Sequence, residues 1–209
     1  MDFDVIRKKR RLYAVVCSLG RGGAAASAAT TWNPADKDAG AVLSNGNLKL
    51  TGDGTADWSA ARGTSGKSSG KWYFEVVQNA AGGAGGGPGA GIADSTANLS
   101  TYLGQDAASA GYFYNGFYGT SNSYTGGPTL AVNDVLGIAV DIGARKVWFS
   151  KNGAYQNGDP AVGSVGLSIA GMGVTIYPLG ESDGSGAITA NFGATAFTTS
   201  PPSGFTAWG

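Results

Sequence analysis

From Thr31 onward the chain consists of short apolar, aromatic and β-branched runs separated by glycine, asparagine, aspartate and proline. Asp134–Ile142 alternates, with Leu136, Ile138, Val140 and Ile142 on one face and Val135, Gly137, Ala139 and Asp141 on the other. That two-residue period predicts a strand with one heavily apolar face. Gly143-Ala144-Arg145 predicts a turn, and Lys146–Ser150 a returning strand. Lys71–Val77, dense in aromatic and β-branched residues, predicts another strand. Ala41–Ser44 and Asn47–Thr51 flank Asn45-Gly46, the strongest short hairpin signal. Val174–Leu179 and Ala187–Phe192 predict a further strand pair across a turn at Glu181–Gly186. No segment after residue 30 repeats with a helical period. The expected fold is all-β, an antiparallel two-sheet β-sandwich over residues 31–209. Trp72, Phe74, Leu136, Ile138, Val140 and Phe149 are its expected core, with Trp148 and Phe192.

Residues 1–30 have a different character. They carry six basic and two acidic side chains, whereas residues 31–209 carry eight and twelve. Arg7, Lys8, Lys9, Arg10 and Arg11 form an unbroken cationic run, followed by apolar Leu12–Leu19 and a Gly/Ala/Ser stretch over 20–29. The expectation is a basic N-terminal anchoring arm and linker over 1–30. Phe3, Ile6 and Tyr13 would supply its apolar contact, and Arg7, Lys8, Lys9, Arg10 and Arg11 its charge. A cleaved secretion signal is the alternative, although Arg21 and the early Asp2 and Asp4 fit it poorly. No apolar run reaches the ~18 residues of a membrane span, so no membrane partner is expected. Nucleic acid is an unlikely partner for the arm, because the acidic remainder would be repelled by the same phosphates.

Composition narrows the function. The chain has no histidine, one cysteine and two glutamates, Glu75 and Glu181, among its 209 residues. That removes histidine-based triads, histidine zinc sites and internal disulfides. Glycine supplies 37 residues, well over twice the usual share of about 7%. Twenty-two aromatic residues nonetheless indicate a packed core. Gly63–Ser68 imitates a phosphate loop, but the required first glycine is Ala61 and a strand follows it. Asp36 and Asp38 alternate like the start of a calcium loop without its closing glutamate, so Asx turns explain them better. Glu75 and Asp141 are the carboxylates a glycosidase would need, and both sit on predicted strands. No cofactor, no metal and no enzymatic activity are expected.

The ordered set Ser69–Val76, Gly91-Ile92-Ala93, Leu103–Asp106, Ser109–Tyr112, Asn133–Asp141, Val147–Gly153, Tyr177-Pro178 and Ile188–Gly193 resembles the SPRY domain family. The resemblance spans about residues 69–193 and implies a bent, two-sheet, non-enzymatic sandwich that recognises proteins through loops at one end. Its Gly-rich insert departs from animal versions. The Gly/Ala/Ser/Thr-rich style is similar to that of tailed-bacteriophage virion proteins. That likeness implies a head-decoration or tail-associated adhesion module located in the virion. Its partners would be a viral capsid or tail protein and further copies of itself, as a homo-oligomer. A host-surface or glycan receptor-binding module, secreted or virion-borne, and a cytoplasmic protein-recognition adaptor are the alternatives.

Two segments stand out as binding candidates. Tyr112, Phe113, Tyr114, Phe117, Tyr118 and Tyr124 crowd into 13 residues. Strand alternation buries about half of such a set, so Tyr112, Tyr114, Phe117, Tyr118 and Tyr124 are taken as a loop-end aromatic patch. Ala80–Gly91 holds seven glycines in twelve residues, expected as a mobile tip or as a loop whose backbone lies against a neighbouring subunit.

Overall fold

The structure is a computed structural model that describes residues 29–55, 57–83 and 85–209. The expected arm therefore lies, except for Ala29 and Thr30, outside the described residues. Sixteen strands follow in chain order: β1 Trp32–Lys37, β2 Ala41–Ser44, β3 Lys49–Gly52, β4 Ser59–Gly63, β5 Lys71–Ala80, β6 Gly89–Ala93, β7 Ser109–Phe113 and β8 Phe117–Thr120. They continue with β9 Ser123–Gly126, β10 Val135–Asp141, β11 Lys146–Lys151, β12 Ala154–Tyr155, β13 Leu167–Ser168, β14 Tyr177–Ser182, β15 Ala187–Asn191 and β16 Thr206–Ala207. One sheet runs β1-β4-β14-β6-β7-β8-β9, and the other β12-β11-β10-β5-β15-β3-β2, with β13 on β11 and β16 on β5. The all-β, two-sheet sandwich is thus observed, and every pair is antiparallel except β16 on β5.

The apolar faces meet between the sheets. Phe74 and Val76 of β5, Leu136, Ile138 and Val140 of β10, and Val147 and Phe149 of β11 pack against Ala90, Ile92, Tyr112 and Tyr118 of the facing sheet. Ile138 pairs with Phe74 on one side and Phe149 on the other, at the centre of the register. The second face of β10 is also covered. Tyr73, Ala139, Trp148 and Phe205 form a further cluster beneath the C-terminal segment. Glu75 holds that segment, accepting hydrogen bonds from the Thr198 and Thr199 amides at 2.8 and 2.7 Å and from the Tyr73 hydroxyl at 3.0 Å. Asp141 accepts from the Ala144 amide at 2.8 Å and pairs with Lys71 at 3.2 Å. Both carboxylates singled out from the sequence therefore close backbone.

Three expectations need correction. β14 and β15 do not pair: Glu181–Gly186 carries the chain from one sheet to the other, and Gly184 adopts a left-handed φ of 55° at the crossing. The Asn45-Gly46 hairpin closes with Ser44 opposite Lys49, a four-residue connection in which Asn45, Gly46 and Asn47 all have positive φ. Trp72 is half-buried at the sheet margin, where its indole N–H donates to the Ser69 carbonyl at 2.6 Å and Lys67 Nζ sits 4.2 Å from the ring. The other seven expected core residues are buried.

Asp134 joins the ends of β10 and β11. Its carboxylate meets Lys151 Nζ at 2.9 Å, Asn152 Nδ2 at 2.7 Å and the Ala131 amide at 2.7 Å. The Lys151 and Asn152 hydrogen bonds hold its pKa down to about 2.

Two outcomes are expected. Ile138→Ala should destabilise the sandwich by about 2–5 kcal/mol in denaturant titration, because the cavity lies between two packed strands; a loss below about 0.5 kcal/mol would contradict this packing. The ionised Asp134 carboxylate stabilises fully above its unfolded pKa of about 3.9, and the contribution disappears as the pH falls through about 2. The melting temperature should therefore drop more steeply between those limits in the parent chain than in Asp134→Asn.

Candidate functional site

The register of the seven-stranded sheet decides where its aromatic side chains go. Ala61, Ala90, Tyr112 and Tyr118 occupy the core side, where Tyr112 and Tyr118 stack with centroids 5.5 Å apart. Burial and the neighbouring Tyr118 push the Tyr112 hydroxyl up to about 12. These two members of the expected patch are therefore interior, because alternation points them at Phe149. Tyr114 is half-buried against the same core. Phe117 and Tyr124 belong to the opposite, outward face, together with Phe113.

On that outward face one row reads Leu179, Gly91, Gly111, Gly119, Tyr124 across five strands. The next reads Ala60, Glu181, Gly89, Phe113. The glycines leave a trench in the sheet, and the loop after Ser100 lies in it. A Cβ on Gly111 would stand 2.7 Å from Leu103 Cδ1, so a side chain there would lift the loop off the strands. Leu103 is buried and bridges two groups through its backbone. Its amide donates to Glu181 Oε2 at 2.5 Å, and its carbonyl accepts from the Tyr124 hydroxyl at 2.6 Å.

Four rings then close on one another. Trp58 lies 5.8 Å from Tyr102, Tyr102 6.2 Å from Tyr124, Tyr124 5.9 Å from Phe113, and Phe113 5.9 Å from Trp58. They line a surface cleft of about 410 Å³ with Gly85, Asn115 and Phe117, which is 50% exposed. That volume is at the small end of ligand sites, and the lining is apolar with few polar groups.

The Gly-rich segment forms one wall of the cleft. Asp183 accepts hydrogen bonds from the Gly83 amide at 3.0 Å and the Gly85 amide at 2.9 Å, so the segment is tied to the sheet crossing of its own chain. A side chain on Gly85 would meet the Trp58 indole at 2.7 Å. The backbone of this segment thus makes its close approach within its own chain, to Trp58 and Asp183.

Glu181 is fully buried, and its Oε1 has no hydrogen-bond partner among the described residues. Burial pushes its carboxyl well above the usual carboxylate range; the Leu103 amide opposes the shift and the Asp183 charge adds to it. Trp58 and Tyr102 were not singled out from the sequence, since they lie far from the 112–124 cluster. The available signal was Glu181 itself, one of only two glutamates, standing in a strand with no other charged residue.

No family model matches the chain. It is 30% identical to Ran-binding protein 9 of Xenopus tropicalis over 177 residues, covering 80% of this chain and 30% of that protein. It is 28% identical over 176 residues to the Ran-binding proteins 9/10 homolog of Drosophila melanogaster, covering 79% of this chain and 17% of the homolog. The chain thus spans less than a third of the length of these relatives. Among solved structures, the SPRY domain of human HERC1 superposes with a TM-score of 0.63 at 14% identity, over 79% of this chain and 99% of that domain. The PSpry domain of TRIM65 superposes with a TM-score of 0.59 at 14% identity, over 78% of this chain and 91% of that one. The two-sheet sandwich described above is therefore the SPRY fold.

Proposed function

We propose that this chain is a SPRY-family protein-recognition module without enzymatic activity, and that the aromatic cleft at the margin of the seven-stranded sheet is where it holds its partner. The carrying observation is the construction of the cleft. Trp58, Tyr102, Phe113 and Tyr124 come from four separate segments and are fixed by packing and by the backbone of Leu103. Aromatic residues held rigidly around a small concavity provide contact area at little entropic cost, the composition that interface centres favour. Glu75, Asp134 and Asp141 are all engaged in closing strands and turns, which supports recognition over hydrolysis.

Selection of peptides from a random display library on the full chain tests this reading. Enriched peptides should lose binding to Trp58→Ala and to Phe117→Asp but keep it with Val162→Asp, a change at a separate exposed apolar side chain. Peptides that ignore both cleft substitutions would overturn it.

The finer reading is a tailed-phage virion component, a head-decoration or tail-associated module. It is supported by the Gly/Ala/Ser/Thr-rich composition and by the charge split between residues 1–30 and the rest. In this reading the basic segment anchors the module to an acidic capsid or tail surface, and the cleft faces outward. Deleting residues 1–29 should leave the melting temperature nearly unchanged while abolishing attachment to particles. Neutralising Arg7–Arg11 should weaken attachment most at low salt, where screening is least. Full occupancy by the truncated protein would refute the anchoring role. The intracellular adaptor reading is supported by the names of the Ran-binding protein relatives, and an absence of the chain from purified particles would favour it.

A further inference from the structure

The four rings of the cleft are inclined to their neighbours by 51° to 64°, and no two lie flat against each other. A flat platform suits a sugar face or a planar group. A closed circuit of inclined rings surrounds a point. Neighbouring centroids are 5.8 to 6.2 Å apart, so a charged group seated among the rings lies within the ~6 Å range over which a ring face attracts a cation for more than one of them. The chain makes this contact elsewhere with its own lysines, Lys67 over Trp72 and Lys71 over Phe205. Among the described residues, no such contact of its own fills the four-ring circuit.

A second observation points the same way. Glu181 shares a cross-strand row with Phe113, with only Gly89 between them. Because Gly89 has no side chain, Leu103 and the Phe113 ring close directly over it: a Cβ there would stand 3.1 Å from Leu103 Cδ1 and 3.2 Å from Phe113 Cδ1. The same Leu103 backbone that donates to Glu181 also accepts from Tyr124. The acid is therefore coupled to two walls of the box, and one of its oxygens is buried without a partner among the described residues. A buried acid in that condition is costly unless a donor or a positive charge arrives. Asp183 lies at the end of the same strand, and its oxygens are already committed to Gly83 and Gly85.

We infer that the box formed by Trp58, Tyr102, Phe113 and Tyr124, backed by Glu181, takes a cationic side chain, a lysine or arginine displayed by the polypeptide partner. This rests on the cleft being the recognition site and specifies the chemistry that it selects. The rings supply the attraction of their faces, and the box excludes water around the charged head. A cation arriving beside Glu181 opposes the desolvation that keeps its carboxyl protonated, so the acid can lose its proton to solvent and become the counter-charge that an apolar cleft otherwise lacks. A neutral side chain of the same size would gain the apolar contact and lose both electrostatic contributions.

Two measurements on the full chain test the inference. In the first, choline chloride and its uncharged isostere 3,3-dimethylbutan-1-ol are titrated while tryptophan fluorescence is followed. Choline should bind about tenfold more tightly than the isostere. Glu181→Gln should reduce choline binding severalfold without changing that of the alcohol, and Tyr102→Leu and Trp58→Leu should each weaken choline. Equal affinity for the two probes, or no response to either, would overturn the inference. In the second, peptides selected by the cleft are resynthesised with norleucine in place of each lysine or arginine. One replacement should cost about tenfold in affinity. Peptides that depend on the cleft yet tolerate every such replacement would refute cation selection while leaving the recognition site in place. Peptides indifferent to the cleft would refute the recognition site itself.

Discussion

The cleft depends on side chains that are missing. Gly91, Gly111 and Gly119 stand side by side on three adjacent strands, and a side chain at the central position would collide with Leu103. This absence lets the loop after Ser100 lie directly on the sheet. The loop delivers Tyr102 to the box, and its Leu103 backbone fixes both Tyr124 and Glu181. A Cβ at Gly91 or Gly119 would stand 2.0 Å from the Ala110 or Ser123 carbonyl oxygen of the adjoining strand, but a chain with an ordinary residue at position 111 alone could still close its core between the sheets, since the core face is carried by the alternate positions Ala90, Ala110, Tyr112 and Tyr118. It would lack the inner wall of the site. Part of the high glycine content thus has a positional reason, beyond any loop flexibility.

Much of the fold was legible because its central strands are long and strictly patterned. β5, β10 and β11 follow the expected runs at Lys71, Asp134 and Lys146, and Ile138 sits where the alternation puts it. The segments that resemble the SPRY pattern acquire physical reasons. Asn152 accepts from the Val135 amide at 2.8 Å while donating to Asp134, so the two motif segments close one corner of the sandwich. What periodicity could not reveal was which sheet a strand joins. Val174–Leu179 and Ala187–Phe192 read as a strand pair from their spacing, yet the Gly184 crossing sends β14 and β15 into different layers. Local pattern carries no information about that choice.

The site was legible only in part, for a related reason. The aromatic density around residues 112–124 is visible in the sequence, and so is the fact that about half of it must turn inward. Sorting Tyr112 and Tyr118 from Phe113 and Tyr124 requires the register between β7, β8 and β9. Trp58 and Tyr102 reach the cleft from connections remote in sequence. The Gly-rich segment finds its anchor at Asp183, 98 and 100 residues away.

The buried acids show how function can be separated from architecture in such a chain. Glu75 accepts two amides and two hydroxyls, and its burial stabilises the C-terminal segment against the sheet. Asp183 uses one oxygen for each of two glycine amides. In both cases the backbone supplies donors that offset desolvation, which is the condition for a carboxylate to be structural. Glu181 has the same burial and only one donor. It also stands in a row that contains a ring of the cleft, where a purely structural role would be better served by an apolar residue such as the Leu179 that precedes it on the same face. An acid retained at that position, short of partners and adjacent to an aromatic box, makes sense physically if the missing partner comes from another molecule.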